Sequence, residues 1–438
     1  ETAADAMNDP AVAAGSTPLS DLPIEDSGGA LLGYPEGTAF NADSLLLTPG
    51  GGGYASLSKE ASLPYGTAVY PMEYSPRAIP VFQRVQELTR IGPFRIGADI
   101  SGSVAHNDNV FGDQTDPKSD QIATFQPLFF LEAGTRGALR LLYAPTYVTF
   151  AKYKELSTVN QALYLQIRYP FTKLKIGIDA SYLSQNGLFI DSDGFVQQNT
   201  ALVRLFGEYP LTQKLMSSFT LENIRQEAIP GGTNIENSVH LRLIHQVTRA
   251  FNAGASFKVG TLSAPAESQT YEAAQVTFSY NPTVALRFAA EFGMEMRSLS
   301  FTSGGQTILP ISVFNFQAVY NPSSNAIYTL GFFRNALNTT FNNVSLNITT
   351  GVSVSAVARV AGKLNVRLEL VAGRTEQYAD EEGEDGTFSF VQGGITLSYP
   401  IMKSVEIQIF DNLQQRLQST IGSDYVSNTL GMGLSVKF

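Results

Sequence analysis

The densest group of potential metal ligands in the sequence is an acidic run close to residue 380. It holds five carboxylates, those of Asp380, Glu381, Glu382, Glu384 and Asp385. Hard cations such as Ca²⁺ bind clustered oxygen ligands, which makes this run a weak candidate for a metal site. The spacing is not that of an EF-hand loop, and neighbouring carboxylates repel one another. We interpret the run as a solvated loop, and the sequence predicts no cofactor.

The other residue types that carry out chemistry are scarce. The chain has no cysteine and three histidines. His106 falls in a predicted loop, and His240 and His245 fall on opposite faces of one predicted strand, so no pair shares a metal-binding face. Neither a G-x-S-x-G elbow nor a G-x-x-x-x-G-K loop occurs. The sequence therefore predicts that the chain is not an enzyme; a hydrolase that assembles Ser, His and an acid from separate strands is the alternative. The acidic balance of the chain argues against nucleic-acid binding.

Charged residues instead follow an alternating pattern. In residues 286–297 the even positions are apolar, whereas Arg287, Glu291 and Glu295 occupy odd positions. A β-strand places alternate side chains on opposite faces, while a helix would distribute these charges around its axis. The pattern predicts a strand with one apolar face and one polar face, and it recurs along the chain.

Turn signals set the length of the repeating unit. Tyr-Pro pairs at 169–170 and 209–210 are about 40 residues apart, the length of one hairpin with its two connections. Counting the alternating segments predicts about 18 antiparallel strands. They begin near residues 93, 119, 137, 159, 173, 198, 214, 235, 250, 270, 285, 309, 325, 344, 363, 387, 404 and 425.

A closed barrel removes the two free edges that an open sheet of this width would have. In hydrocarbon no water satisfies backbone groups, so a closed barrel is the β-structure that spans a membrane. We predict an all-β fold: a transmembrane, antiparallel, up-and-down β-barrel. A soluble β-sandwich or fibre-like adhesin is the alternative. Charged residues make up only 16% of the chain, against about 25% in soluble domains, and this favours the membrane.

The chain divides into two regions. Residues 92–438 form the predicted barrel. Residues 1–91 are acidic and rich in Gly and Pro, with no Lys or Arg before Lys59, and they predict an irregular extension. This extension is either a periplasmic arm or a plug in the lumen, with a short helix over 81–88 at the mouth. The first residues lack a targeting segment, so we interpret the chain as mature.

The polar face of each strand is predicted to line an aqueous pore, because a lipid-facing Arg or Lys at mid-membrane costs about 2–4 kcal/mol. The predicted pore-lining residues are Arg95, Asp99, Arg168, Lys175, Asp179, Arg204, Arg242, Lys258, Arg287, Glu291, Glu295, Arg367 and Glu369. Both signs occur, which predicts weak charge selectivity. Alternatively, many of these residues only pair across strands. The loops are too short to fold deep into the lumen.

Two features of the sequence, an ending and an opening motif, resemble known families. The chain ends in LGMGLSVKF, which is similar to the C-terminal signal of bacterial outer-membrane proteins. The resemblance implies that the barrel-assembly machinery reads Phe438. The segments 106–111, 119–120 and 125–127 read HNDNVF, SD and FQP. They resemble the opening motif of the β-barrel porin 2 family, some members of which are linked with exopolysaccharide systems.

These observations predict a passive diffusion channel for small hydrophilic solutes in a bacterial outer membrane, surrounded by lipid and lipopolysaccharide. The C-terminus and the N-terminal extension are predicted to face the periplasm, as in other outer-membrane barrels. A component of exopolysaccharide export and a non-conducting structural or adhesive barrel are the alternatives. By analogy with porin-like barrels, a homotrimer is expected.

Overall fold

A computed structural model describes residues 89–134, 139–188, 195–229, 231–265, 267–283, 285–301, 305–323, 325–338, 346–378, 386–417, 420 and 424–438. The predicted extension up to residue 88, including the helix expected over 81–88, lies outside the described residues. So does the acidic run at 380–385.

Strands dominate the described part of the chain. They are β1 (Thr89–Ile91), β2 (Phe94–Asn107), β3 (Asp120–Ala133), β4 (Leu139–Phe150), β5 (Thr158–Pro170), β6 (Lys175–Leu188), β7 (Phe195–Pro210), β8 (Leu215–Ile229), β9 (Thr233–Gln246), β10 (Phe251–Ser263), β11 (Glu267–Tyr280), β12 (Leu286–Phe301), β13 (Gln306–Ser323), β14 (Ala326–Asn338), β15 (Leu346–Val360), β16 (Leu364–Tyr378), β17 (Gly386–Pro400), β18 (Val405–Leu417) and β19 (Tyr425–Lys437). One 3₁₀ turn covers Lys154–Leu156. No helix within these described ranges is long and apolar enough to cross a membrane.

The strands β2 to β19 form a closed barrel. Each pairs antiparallel with the next along the chain, and β19 pairs with β2 from Thr429 opposite Asn107 to Lys437 opposite Asp99. The short strand β1 pairs only with the start of β2, outside this ring. The structure confirms the predicted fold class, with 18 barrel strands in the described residues. Each begins within three residues of its predicted start.

The barrel wall has an apolar outer face and a polar inner face. On β2, for example, Ile96 and Ile100 are about two-fifths exposed, whereas Asp99 between them is 3% exposed. The same contrast recurs on β12, where Met294 is half exposed and Glu295 is buried. Residues that alternate in sequence thus alternate between two environments. We call each set of alternate positions on a strand a parity. The apolar parity covers the outside of the molecule, where a soluble protein would carry charge.

Aromatic rings form a belt on part of the outer face. Phe251, Tyr280, Phe288, Phe316 and Phe332 follow one another across β10 to β14, with successive ring centroids 6.1 to 6.4 Å apart. Such rings concentrate where the hydrocarbon of a bilayer meets its headgroups. The chain has no tryptophan, so tyrosine and phenylalanine supply this belt.

Prolines lie at two places where the wall departs from regular pairing. β3 and β4 pair at both ends but not around Pro127 and Pro145. β13 pairs with β14 only as far as Phe314 opposite Arg334, so residues 306–313, which include Pro310, have no partner in β14. Proline has no backbone N–H to donate and is tolerated where a strand lacks a neighbour.

The residues of the opening motif connect the first two long loops and close the ring. The Asn107 amide donates hydrogen bonds to Ser427 Oγ (3.1 Å) and Thr429 Oγ1 (2.7 Å) across the β2–β19 junction. The Asp120 carboxylate, 1% exposed, accepts hydrogen bonds from the backbone N–H groups of Lys152 (3.0 Å) and Tyr153 (2.9 Å) in the next loop. The motif therefore serves to build the loop end of the barrel.

In the loop between β2 and β3, Asp113 is held in a tight turn. Its carboxylate accepts hydrogen bonds from the Thr115 backbone N–H (2.8 Å), the Thr115 hydroxyl (2.9 Å) and the Asp116 N–H (3.2 Å). These bonds favour the ionised form and lower the pKa of Asp113. Because the folded pKa is depressed, the contribution of this turn is present above the unfolded pKa and is lost as the pH falls through the folded value.

Replacing Asp120 by alanine is expected to destabilise the barrel by about 1–3 kcal/mol, because the backbone N–H groups of Lys152 and Tyr153 lose a buried, charged acceptor. Urea unfolding of the protein in phospholipid vesicles, followed by intrinsic fluorescence, measures the loss. Asp116→Ala, in the loop that precedes Asp120, is the control, since the Asp116 side chain is 65% exposed. Equal midpoints for both variants would show that the Asp120 contacts add nothing to stability.

Candidate functional site: the inner face of the barrel

All thirteen residues predicted to line a pore lie on the parity that faces the barrel axis. One contact shows the direction of that parity: Arg242 on β9 donates a hydrogen bond to Glu291 on β12 (3.2 Å). These strands are three positions apart in the sheet, so the two side chains meet across the inside of the wall. The structure places the residues there, and their role in conduction stays a prediction.

Three side chains from neighbouring strands meet on the inner face of β9 to β11. Lys258 Nζ lies 3.8 Å from Glu236 Oε1, and the Tyr271 hydroxyl donates a hydrogen bond to the same carboxylate. The Lys258 ammonium also lies 5.3 Å from the centroid of the Tyr271 ring. A cation, an anion and a phenol thus satisfy one another, which limits the cost of burying the charges.

Arg297 on β12 extends this group. It is 0% exposed, and its guanidinium lies 5.0 Å from the Tyr271 ring centroid. Nε donates to Glu295 Oε1 (2.8 Å), and Nη1 donates to Gln269 Oε1 (2.9 Å). We call Glu236, Lys258, Tyr271, Gln269, Glu295 and Arg297 the β9–β12 network. Its two formal cations balance its two formal anions, so the network carries no net charge.

A second ionic group lies on β5 to β8. Arg204 forms hydrogen bonds from Nε (2.8 Å) and Nη2 (2.6 Å) to Glu222 Oε2, and its strand position is opposite Asp179. Gln166 Nε2 donates to Asp179 Oδ1 (3.2 Å). Arg168 lies over the Phe206 ring at 4.5 Å. Each charge therefore has an opposite charge, an amide or a ring beside it.

The remaining predicted residues lie nearer the barrel ends. Arg95 is paired with Glu132 (2.7 Å), and Arg367 donates to Glu369 (2.9 Å). Lys175 Nζ lies 4.0 Å from Glu208 Oε2. The carboxylate of Asp99 accepts from Ser435 Oγ (3.0 Å), and Arg287 occupies the inner face of β12 opposite Val319 of β13. Cross-strand pairing, the alternative to a role in lining a pore, describes several of these contacts.

Four buried inner-face residues were absent from the predicted set: Glu236, Tyr271, Arg297 and Arg416. Parity would have found three of them, since Glu236 shares its face with Arg242, Arg297 with Glu295 and Arg416 with Glu406. The tyrosine gave no signal, because aromatic residues occur on both faces. Arg416 is 0% exposed and lies 4.7 Å from the Phe388 ring centroid.

Two parts of the inner wall differ in chemistry. The part formed by β5 to β12 carries the β9–β12 network and the ionic group on β5 to β8. The part formed by β13 to β18 carries mostly amides and hydroxyls that are buried. These are Asn315, Gln317, Thr329, Asn335, Asn347, Thr349, Ser353, Thr375, Gln377, Gln392, Asn412 and Gln414. Charges also occur in this part of the wall, at Arg367 and Glu369 on β16 and at Arg416 on β18, so the two parts differ in the proportion of charged residues.

The structure brings together no metal ligands within the described ranges, where no group of three or more His, Asp or Glu could hold an ion. His240 lies buried on the inner face, and His245 lies exposed on the outer face. The acidic run at 380–385 is outside these ranges and stays a weak candidate. Phe438 is 63% exposed, and its N–H donates to the Ala98 carbonyl (2.9 Å), which attaches the last residue to the wall.

Comparison with known proteins gives a likeness of shape only. No protein-family model and no curated protein matches the sequence. Among solved structures, the chain is similar to OccK11 (OpdR) of Pseudomonas aeruginosa (12% identity, TM-score 0.42, covering 78% of this chain and 96% of that one). It is also similar to OccAB4 of Acinetobacter baumannii (11%, 0.41, 80% and 99%). A third is the FrpB iron transporter of Neisseria meningitidis, F5-1 variant, apoprotein form (6%, 0.44, 81% and 82%).

Proposed function

We propose that the chain is a channel of a bacterial outer membrane through which small hydrophilic solutes diffuse passively. The observation that supports this most directly is the closed ring of 18 strands with an apolar outside and a hydrophilic inside. Barrels of 16 to 18 strands are wide enough to leave an aqueous channel, whereas barrels of about eight strands fill with side chains.

The balance of inner charges supports weak rather than strong ion selectivity. Arg242 with Glu291 and Arg204 with Glu222 place one cation beside one anion. A ring of one sign would select ions of the other sign, whereas neutral pairs leave water and polar solutes nearly unaffected. Solute size then becomes the main criterion for passage.

The direct test is conductance of the purified, refolded protein in planar bilayers, combined with swelling of proteoliposomes in sugars of graded size. We expect discrete conductance steps and swelling rates that fall with solute size. A protein that inserts and is folded but conducts no ions would contradict the proposal. It would favour the structural or adhesive role, because that role needs no continuous pore.

The N-terminal extension carries its own prediction. We expect that deleting residues 1–85 raises the single-channel conductance if the extension is a lumen plug, because removing material from a pore widens it. A periplasmic arm predicts unchanged single-channel current. Full-length and shortened proteins are compared at the same insertion density. Heat-modifiable migration on gels shows that both have folded.

Membership in the β-barrel porin 2 family is part of the same proposal. It is supported by the positions of the motif residues, where Asn107 bridges the β2–β19 junction and Asp120 ties together two loops. We place the short turns and both ends of the barrel on the periplasmic side, the usual arrangement of such barrels. Protease digestion of whole cells bearing epitopes in the 108–119 loop or at the first barrel residue tests this orientation.

A further inference from the structure

The pairing of the barrel wall ends early between the loop ends of β13 and β14. Above the pair Phe314 and Arg334, residues 306–313 of β13 still pair with β12 but no longer with β14. The last residues of β14 keep their pairing with β15, up to Asn338 opposite Leu346. The loop ends of β13 and β14 are thus free to take different paths.

At this end of the barrel, the loop end of β15 overlaps the loop end of β13. Leu346 and Ile348 belong to the parity that faces outward lower on β15, where Val354 is exposed. At the loop end they are 0% and 3% exposed, and they pack in one apolar cluster with Ile311 and Val313 of β13. The two β13 residues belong to the inward parity, since Ile311 is opposite Glu295 in β12.

Residues of the outward parity of β15 therefore pack against residues of the inward parity of β13. This is only feasible if the loop ends of β14 to β16 lie inside β13, as a second layer toward the barrel axis. Continuous register from β14 through β16 excludes a local change of parity. At the point where the pairing of β13 with β14 ends, Arg334 donates hydrogen bonds to Thr350 Oγ1 (2.6 Å) and Glu376 Oε2 (3.2 Å), which links β14, β15 and β16.

We propose that this inner layer is the constriction of the channel and that it selects uncharged hydrophilic solutes. The inference rests on the proposed channel function and deepens it. The constriction comes from strand ends and so does not depend on long loops. An inner layer narrows the bore on one side of the barrel, where a single wall would leave it open.

The chemistry of the layer determines the solute class. Among the side chains that the structure describes on β14 to β16 above Arg334, those that face the axis are amides and hydroxyls, and none is charged. They are Asn335, Asn347, Thr349, Thr375 and Gln377. Within the described structure Asn347 Oδ1 and Gln377 Oε1, both buried, accept no hydrogen bond. Neutral hydrogen-bonding groups, and no charge, are thus the described axis-facing polar groups of this layer.

The overlap can be tested without conductance. The chain has no cysteine, so the pair Ile311→Cys with Ile348→Cys introduces the only two thiols. Short bifunctional thiosulfonate reagents should link them in the folded barrel. The pair Ile311→Cys with Leu370→Cys, which places the second thiol on the exposed outer face of β16, should not be linked. Equal linking of both pairs, or of neither, would overturn the overlap.

The selectivity is tested by charging the layer after folding. Gln377→Cys channels in a bilayer are treated with a negatively or a positively charged methanethiosulfonate. We expect loss of most of the current and reversal potentials that shift in opposite directions for the two reagents. Gln408→Cys, on the inner face of β18 away from the layer, is the control and should shift less. An equal or larger shift at the control position would place the constriction elsewhere.

The two parts of the inference fail separately from the proposed function. If the unmodified protein conducts no ions, the channel function fails whatever the linking experiment shows. If it conducts but the Ile311 and Ile348 thiols are not linked, or the Gln377 thiol does not respond to charge, only the constriction fails. Linking should leave the conductance at its starting value, since it fixes the layer where it already lies. A fall in conductance on linking would contradict a fixed constriction.

Discussion

Replacing Met294 by arginine is expected to destabilise the barrel in a lipid bilayer by about 2–4 kcal/mol. Met294 lies in the middle of β12 on the outer face and is 48% exposed. Its neighbours in register are Ala274 of β11 and Ser312 of β13, neither of which offers an opposite charge. If this face meets hydrocarbon, the guanidinium must lose its hydration or distort the bilayer to reach water.

The comparison variant is Ile308→Arg. Ile308 is also on the outer parity and is 61% exposed, but it lies near the loop end of β13. There an arginine can reach the headgroups, and the expected cost is about 0–1 kcal/mol. Both variants are unfolded with urea in phospholipid vesicles. Similar small costs for both would mean that the apolar parity does not face lipid, and the membrane assignment would fail with it.

Most of the architecture was accessible from the sequence because the side-chain period of a strand depends only on its own backbone. Alternation assigned Asp99, Asp179 and Glu291 to one face without knowledge of any neighbour, and the structure places all three on the inner face. Turn residues then fixed where each strand ends. Closure followed from the cost of free edges, so strand number and pairing order needed no information beyond local patterns.

The contacts on the inner face required more than local patterns. Arg242 reaches Glu291 over two intervening strands, and that distance depends on the curvature and stagger of the closed wall. The overlap at β13 was hidden for the same reason. Alternation assigns Ile348 to one face, but it does not say whether lipid or another strand covers that face. Pro310 was the one local sign that β13 lacks a neighbour there.

Arg297→Met is the second variant for which a large effect is expected, with a loss of about 3–5 kcal/mol in unfolding free energy. The guanidinium is 0% exposed and touches Glu295, Gln269 and the Tyr271 ring. Methionine retains much of the volume but leaves the Glu295 carboxylate buried without this cation. Breaking a buried ion pair costs more than the pair contributes, because the remaining charge stays desolvated.

Two further variants separate this cause from general disruption of the wall. Arg95→Met removes a cation with a 48% exposed side chain that pairs with Glu132 at 2.7 Å, and water can replace it at a cost of about 0–1 kcal/mol. Arg297→Met with Glu295→Gln removes both charges and should regain much of the lost stability. If the double variant is as unstable as Arg297→Met alone, then packing around Tyr271 and Gln269, and not charge compensation, is what Arg297 provides to the β9–β12 network.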